Sequence, residues 1–215
     1  MACLGQATFI GTEIIIECKD KWSCCQRAQA QAKVKAQNKA IKAAPGKSLS
    51  PVDFVSDDVK NAKEQCCNDA WKEMKADLDA DAKKGAQKHC THECQHEPFA
   101  KDYKDNGPYD NRSDIRPKIE LDHPVECKIG GAAKQTLTIL DKKVNGHFGR
   151  RYKTVADDML DKDPNAKIEK VSLVCPGPCD PPHDPADKNF SEGDRSDFPA
   201  DSQITSVTPR RTLGS

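Results

Sequence analysis

Aromatic residues are scarce in this chain: they make up 5% of its 215 residues, against 32% charged residues. A core built mainly on rings is excluded, and long stretches must be solvated or held by something other than apolar burial. No run of about 18 apolar residues occurs, which excludes an apolar membrane-spanning helix. An excess of one charge is also lacking, because 34 Lys and Arg balance 34 Asp and Glu. The whole chain therefore exerts no global pull on a polyanion, and any attraction must be local. The opening stretch has no basic segment, and Glu13 and Glu17 interrupt its apolar run, so it does not read as a secretory signal. Export, if it occurs, would use a signal-independent route or a larger carrier.

Cysteine is plentiful, with eleven residues. Such usage points to disulfides, a metal site or both, and the odd number leaves at least one thiol outside a disulfide. Residues 7–18, rich in Ile and Thr, predict a short strand or hairpin. Residues 21–44, rich in Ala, Gln and Lys, predict a helix ended by Pro45-Gly46. Ser56-Asp57-Asp58 starts a second helix, to about Gln87. The two helices are expected to form an antiparallel hairpin, with Trp22 and Trp71 as apolar anchors. The doublets Cys24-Cys25 and Cys66-Cys67 suit disulfide staples between them, of unknown pairing. Residues 89–96, HCTHECQH, offer zinc ligands, with Cys90 and Cys94 joined by Cys175 and Cys179. Disulfide bonding of the same four cysteines is the alternative. Residues 167–174 predict a final strand, and the Pro-, Asp- and Ser-rich chain from Asp180 a disordered tail.

Chemistry concentrates between Ile119 and Tyr152. Residues 118–121 alternate as a half-buried strand does, Asp122-His123 close it, and Pro124 disfavours a helical continuation. Gly130-Gly131 makes a tight loop, residues 135–140 alternate again, and Asp141 caps a helix to about Asp161. Between residues 115 and 155, nine Lys and Arg face four Asp and Glu, a surplus of +5.

The order of Asp122-His123, Gly130-Gly131, the strand ending at Leu140, and Asn145 resembles the HNH (ββα-metal, or His-Me finger) endonucleases. It is also similar to nuclease modules of bacterial polymorphic toxins. The resemblance covers about a fifth of the chain. It implies an α+β fold: a Cys-rich helical hairpin region over 1–96, a small ββα-metal nuclease domain over 97–179, and a disordered tail over 180–215. It implies hydrolysis of DNA phosphodiester bonds, with His123 as general base and Asp122 and Asn145 holding Mg²⁺ or Mn²⁺. Lys128, Arg150, Arg151 and Lys153 would grip phosphates, with His147 a further substrate contact. The family's middle Asn, which steadies the base, aligns with Thr136, or with Gln135 if shifted. An antibacterial toxin of this kind would be secreted or injected, act in the target cytoplasm, and need a cognate immunity protein and a secretion-system carrier.

Two other readings use the same residues. Glu17-Cys18-Lys19 and Glu126-Cys127-Lys128 each look like the Glu-x-Lys strand of restriction-endonuclease-like folds, the second using Asp122, Glu126 and Lys128. A non-catalytic reading makes the chain a disulfide- or zinc-stabilised protein-binding module, with Asp122-His123 a surface turn and the Lys/Arg run a solvated helix face.

Overall fold

The computed structural model describes residues 7–52, 56–114 and 119–175. The expected tail at 180–215 and Cys179 lie outside these residues. The fold is mixed α+β, with five α-helices and two small sheets among the described residues.

The chain opens with strands β1 (Ala7–Ile10) and β2 (Glu13–Glu17). Gly11 makes the turn between them at φ +59°, a conformation that costs Gly little. β2 alternates, with Ile14 and Ile16 fully buried. Strand β5 (Lys170–Val174) adds to β2 in parallel, so the sheet order is β1-β2-β5. Helix α1 (Cys24–Ala43) begins at a reciprocal cap: Ser23 accepts from the Gln26 N–H, and the Gln26 side chain accepts from the Ser23 N–H.

Helix α2 (Asp57–Ala80) starts at Ser56 with Asp57 and Asp58 in its first turn, where a carboxylate meets the positive end of the helix. The second helix does not run unbroken to residue 87. Asp81 leaves the helical conformation and its carboxylate caps a new helix, α3 (Ala82–His89). The chain can fold back there because Gly85 lies against the Leu78 backbone, where an added Cβ would sit 2.9 Å away. Helix α4 (His96–Asn106) completes a three-helix layer. An antiparallel ribbon follows, β3 (Ile119–Asp122) with β4 (Thr138–Asp141), and then α5 (Lys142–Lys162), capped by Asp141.

Two apolar cores result. The first joins Ile14, Val34, Ile41, Phe148, Tyr152 and Val171. The second joins Trp71, Met74, Leu78, Phe99, Tyr103 and Ile139. Ile139 and Leu140, neighbours on β4, enter different cores, as alternation along a strand requires. The β3–β4 ribbon is thus the seam between them.

This arrangement corrects several expectations. α1 and α2 do not form an antiparallel hairpin, because α1 packs on β5, β4 and α5 while α2 packs on α3. Trp22 and Trp71 anchor different cores. The doublets are not stapled to one another among the described residues. Disulfides join Cys18 to Cys175 and Cys25 to Cys94 instead. Both bridges tie the first quarter of the chain to later segments. Of the four cysteines named for zinc, Cys94 and Cys175 are each in one of these disulfides, Cys90 is a free thiol, and Cys179 lies outside the described residues. The first core draws on residues on both sides of position 96.

Candidate functional site

Strand β3, the loop after it and α5 converge on a cleft of about 630 Å³ lined by Asp122, His123, Glu120 and Glu126, by Asn145 and Arg150 of α5, and by Lys60, Lys63, Glu64 and Cys67 of α2. Arg112 also lines it. Asp122, His123 and Asn145, chosen from sequence, therefore share one cavity.

The loop between β3 and β4 is held by its own backbone. Gly130 has φ +91°, and an added Cβ would meet the Ser50 carbonyl oxygen at 2.8 Å. At Gly131 a Cβ would lie 2.0 Å from the Val125 oxygen, so only glycine fits. Gln135 clamps the same loop: its Oε1 accepts from Val125 N–H at 3.0 Å, and its Nε2 donates to Val125 O at 2.8 Å and Ala132 O at 2.7 Å. Gln135, the shifted alternative, makes the bonds that steady the loop after His123.

His123 is buried, with Nε2 3.3 Å from the Ala133 carbonyl oxygen. A carbonyl only accepts, so Nε2 carries the hydrogen and Nδ1 keeps the lone pair. Burial, then the Lys63 charge, lowers the His123 pKa, so the ring is neutral at pH 7.

Asp122 is also buried, and burial pushes its pKa up while Lys33 opposes that shift. Its Oδ1 accepts from the Lys33 ammonium, which also reaches the His123 carbonyl at 3.1 Å and Glu126 Oε1 at 3.4 Å. Oδ2 is buried with no hydrogen-bond partner. Asn145 donates from Nδ2 to Glu120 Oε2 at 2.9 Å. The carboxylate of Glu120 can only accept, so the Asn145 amide nitrogen is fixed toward it and Oδ1 is left for another ligand. A lone buried carboxylate oxygen and an oriented amide oxygen in one cleft fit a hard divalent cation.

Sequence reasoning missed Lys33. α1 carries a buried polar stripe, Gln29, Lys33 and Gln37, at every fourth residue. Gln29 accepts from the Asp141 N–H at 2.8 Å, Lys33 pairs with Asp122, and Gln37 accepts from the Tyr152 hydroxyl. Each therefore meets one group of the β3–β4–α5 unit. The only sequence trace was this period of four within a helix that otherwise reads as solvated. Glu120, two residues before Asp122 on one strand face, carried a local signal; Lys60 and Lys63 carried none.

Other expected site residues lie elsewhere. His147 is buried in the first core, where its Nε2 donates to the Glu17 carbonyl at 2.9 Å and Trp22 meets its ring edge-on. Burial lowers its pKa to about 4. The expected substrate contact is thus corrected to a neutral core histidine. Lys128 does not line the cleft; its ammonium lies 3.5 Å from Asp157 Oδ1. Arg151 and Lys153 also lie outside the lining, which leaves Arg150 alone of the expected phosphate grips. The Glu-x-Lys alternative fails on backbone grounds: Cys127–Ile129 is a 3-10 turn rather than a strand. Glu17 ends β2 in the other sheet, next to a disulfide-bonded cysteine.

A separate group, Glu73, Asp77 and His89, brings three ligand atoms within 4.8 Å of one another. Lys88 already bonds both carboxylates, at 3.0 and 2.8 Å, and Asp77 holds His89 at 2.6 Å. The chain matches no known family model, no curated protein and no solved structure in the comparisons made.

Proposed function

We propose that this chain is a metal-dependent endonuclease of the ββα-metal type, acting on DNA, with His123 as general base. The observation that carries the reading is that Asp122, His123 and Asn145 line one cleft in which Asp122 Oδ2 has no partner. Nδ1 of neutral His123 takes the proton of the attacking water. Ala133 O and the Gln135 clamp hold the ring and its loop. Asp122 and Asn145 would hold Mg²⁺ or Mn²⁺, and Glu120 turns the Asn145 oxygen outward. Bound there, the ion supplies charge stabilisation to the phosphate and the leaving oxygen.

Under this reading the chain is a toxin module released from or injected by a bacterium, carried by a secretion system and neutralised at home by an immunity protein. Two disulfides agree with passage through an oxidising compartment. Purified protein with Mg²⁺ should nick supercoiled plasmid, EDTA should stop it, and His123→Ala should lower the rate by at least about a hundredfold. Equal nicking by His123→Ala would refute the assignment. Absence of divalent-dependent cleavage, with no toxicity on expression in bacteria, would favour the protein-binding module.

A further inference from the structure

The expected phosphate grips on α5 reduce to Arg150, yet cations do face the cleft. They come from α2. Lys60, Lys63, Glu64 and Cys67 line the cavity at spacings of three, four and seven residues, which is one face of a helix. At about 1.5 Å per residue the two lysines of this face lie about 4.5 Å apart along the helix axis, close enough to meet neighbouring phosphates of one strand. The lining as a whole is charge-balanced, four cations with four carboxylates, so a phosphate would find its positive partners only at the Lys60–Lys63 face and Arg150.

We infer that the Lys60–Lys63 face of α2 is the second wall of a nucleic-acid groove, opposite Arg150, and grips the backbone of the strand presented to His123. The inference rests on the nuclease reading and adds a binding site outside the β3–β4–α5 unit. The present partners of these lysines do not prevent it. Lys60 pairs with Asp57 in a mostly exposed contact, its own side chain 58% and that of Asp57 85% accessible. Lys63 lies 3.9 Å from Glu126, at the outer limit of an ion pair. The Lys60–Asp57 pair is of the exposed kind that contributes little. The Lys63 and Glu126 side chains are 30% and 14% exposed, but 3.9 Å is too long for a direct hydrogen bond and Glu126 keeps Lys33 at 3.4 Å. Arg112 differs. Both oxygens of Glu64 hold its guanidinium, at 2.8 and 3.1 Å, and its side chain is 16% exposed. It braces α2 against the chain leading into β3 and is not assigned to the backbone grip.

The test is binding of a fluorescein-labelled duplex of about 20 base pairs to full-length His123→Ala protein in Ca²⁺, by anisotropy over a salt series. Lys60→Gln/Lys63→Gln, added to that background, should lower the slope of log K against log salt by about 1.8, near 0.9 per lost contact, and weaken binding at 0.1 M salt at least about tenfold. Lys142→Gln/Lys143→Gln, a pair of exposed α5 cations outside the lining, should leave slope and affinity within about twofold. Unchanged binding in the α2 variant with a normal melting curve, an equal loss in the α5 control, or no duplex binding at all would each overturn the inference. Plasmid nicking separates it from the parent reading. Nicking that needs His123, with α2 variants binding normally, removes the wall and keeps the nuclease. Binding that needs Lys60 and Lys63 without any nicking keeps the wall and removes the nuclease.

Discussion

Lys33→Met is the most informative perturbation of this fold. The Lys33 side chain is fully buried and that of Asp122 is 1% exposed. Removing the ammonium strips Asp122 Oδ1, the His123 carbonyl and Glu126 of a shared donor. Asp122 Oδ2 already lacks a partner, so the whole carboxylate would be stranded. Breaking a buried pair by deleting one member costs about 3–5 kcal/mol. With a urea slope of about 2 kcal/mol/M, the unfolding midpoint should fall by about 2 M. The cost should also depend on pH. Without Lys33 the raised pKa of Asp122 rises further, so the folded state binds a proton that the unfolded state releases. That stabilisation is present at low pH and lost as pH rises through the folded pKa, so the variant should be hurt less at pH 5 than at pH 8. Lys33→Met/Asp122→Asn should recover part of the loss, since no buried charge is then unpaired. A midpoint shift below about 0.5 M, or strict additivity in the double variant, would refute the buried-pair account.

Three further outcomes follow from the same contacts. Glu120→Gln should weaken Mn²⁺ binding about 10- to 100-fold by calorimetry, because the Asn145 amide is no longer forced to turn its oxygen outward; unchanged affinity would remove Glu120 from the site. His147, neutral in the core with a pKa near 4, should make stability fall as pH drops from about 6.5 toward 4, because only the unfolded chain takes up the proton. The loss is about 3 kcal/mol by linkage, and His147→Gln should flatten that limb of a pH–melting curve. The Cys25–Cys94 bridge spans 69 residues, so Cys25→Ser/Cys94→Ser should cost about 4 kcal/mol in denaturant unfolding on the chain-entropy account; a loss under 1 kcal/mol would show that the loop is held closed by packing alone.

What could be read from sequence was local. The Asp141 cap and the Gly130-Gly131 loop each involve residues within about four positions, and both appear as expected. The flanking strands form, but β3 buries only Asp122, and β4 starts at Thr138 and buries Ile139 and Leu140 side by side. The expected alternation is absent because the ribbon is covered on both faces. What could not be read depends on distant partners. β2 pairs with β5 and Cys18 with Cys175 across 157 residues, and an apolar strand carries no label for its neighbour. The helical hairpin was expected because adjacent helices with short connections usually pack together. Here α1 instead buries its stripe of Gln29, Lys33 and Gln37 against the β3–β4–α5 unit, and polar residues on a helix carry no sign of burial until their partners are known.

The candidate site shows the same division, and charge makes it plain. Asp122, His123 and Asn145 were legible because the chain presents them at fixed positions in a strand, a corner and a helix. The +5 surplus of that block was legible too, but it did not identify the groove. Lys142 and Lys143 point to solvent, Lys128 meets Asp157, and among the block's described cations only Arg150 lines the cleft. The cleft takes its other cations from Lys60 and Lys63, 87 or more residues from Arg150, and from Arg112 in the turn before β3. Four cationic side chains then line the cavity with four carboxylates, those of Glu64, Glu120, Asp122 and Glu126. A local charge count along a chain therefore locates the candidate corner better than the charge of the cleft around it, because the corner is built by one segment and the cleft by whatever the fold brings opposite it.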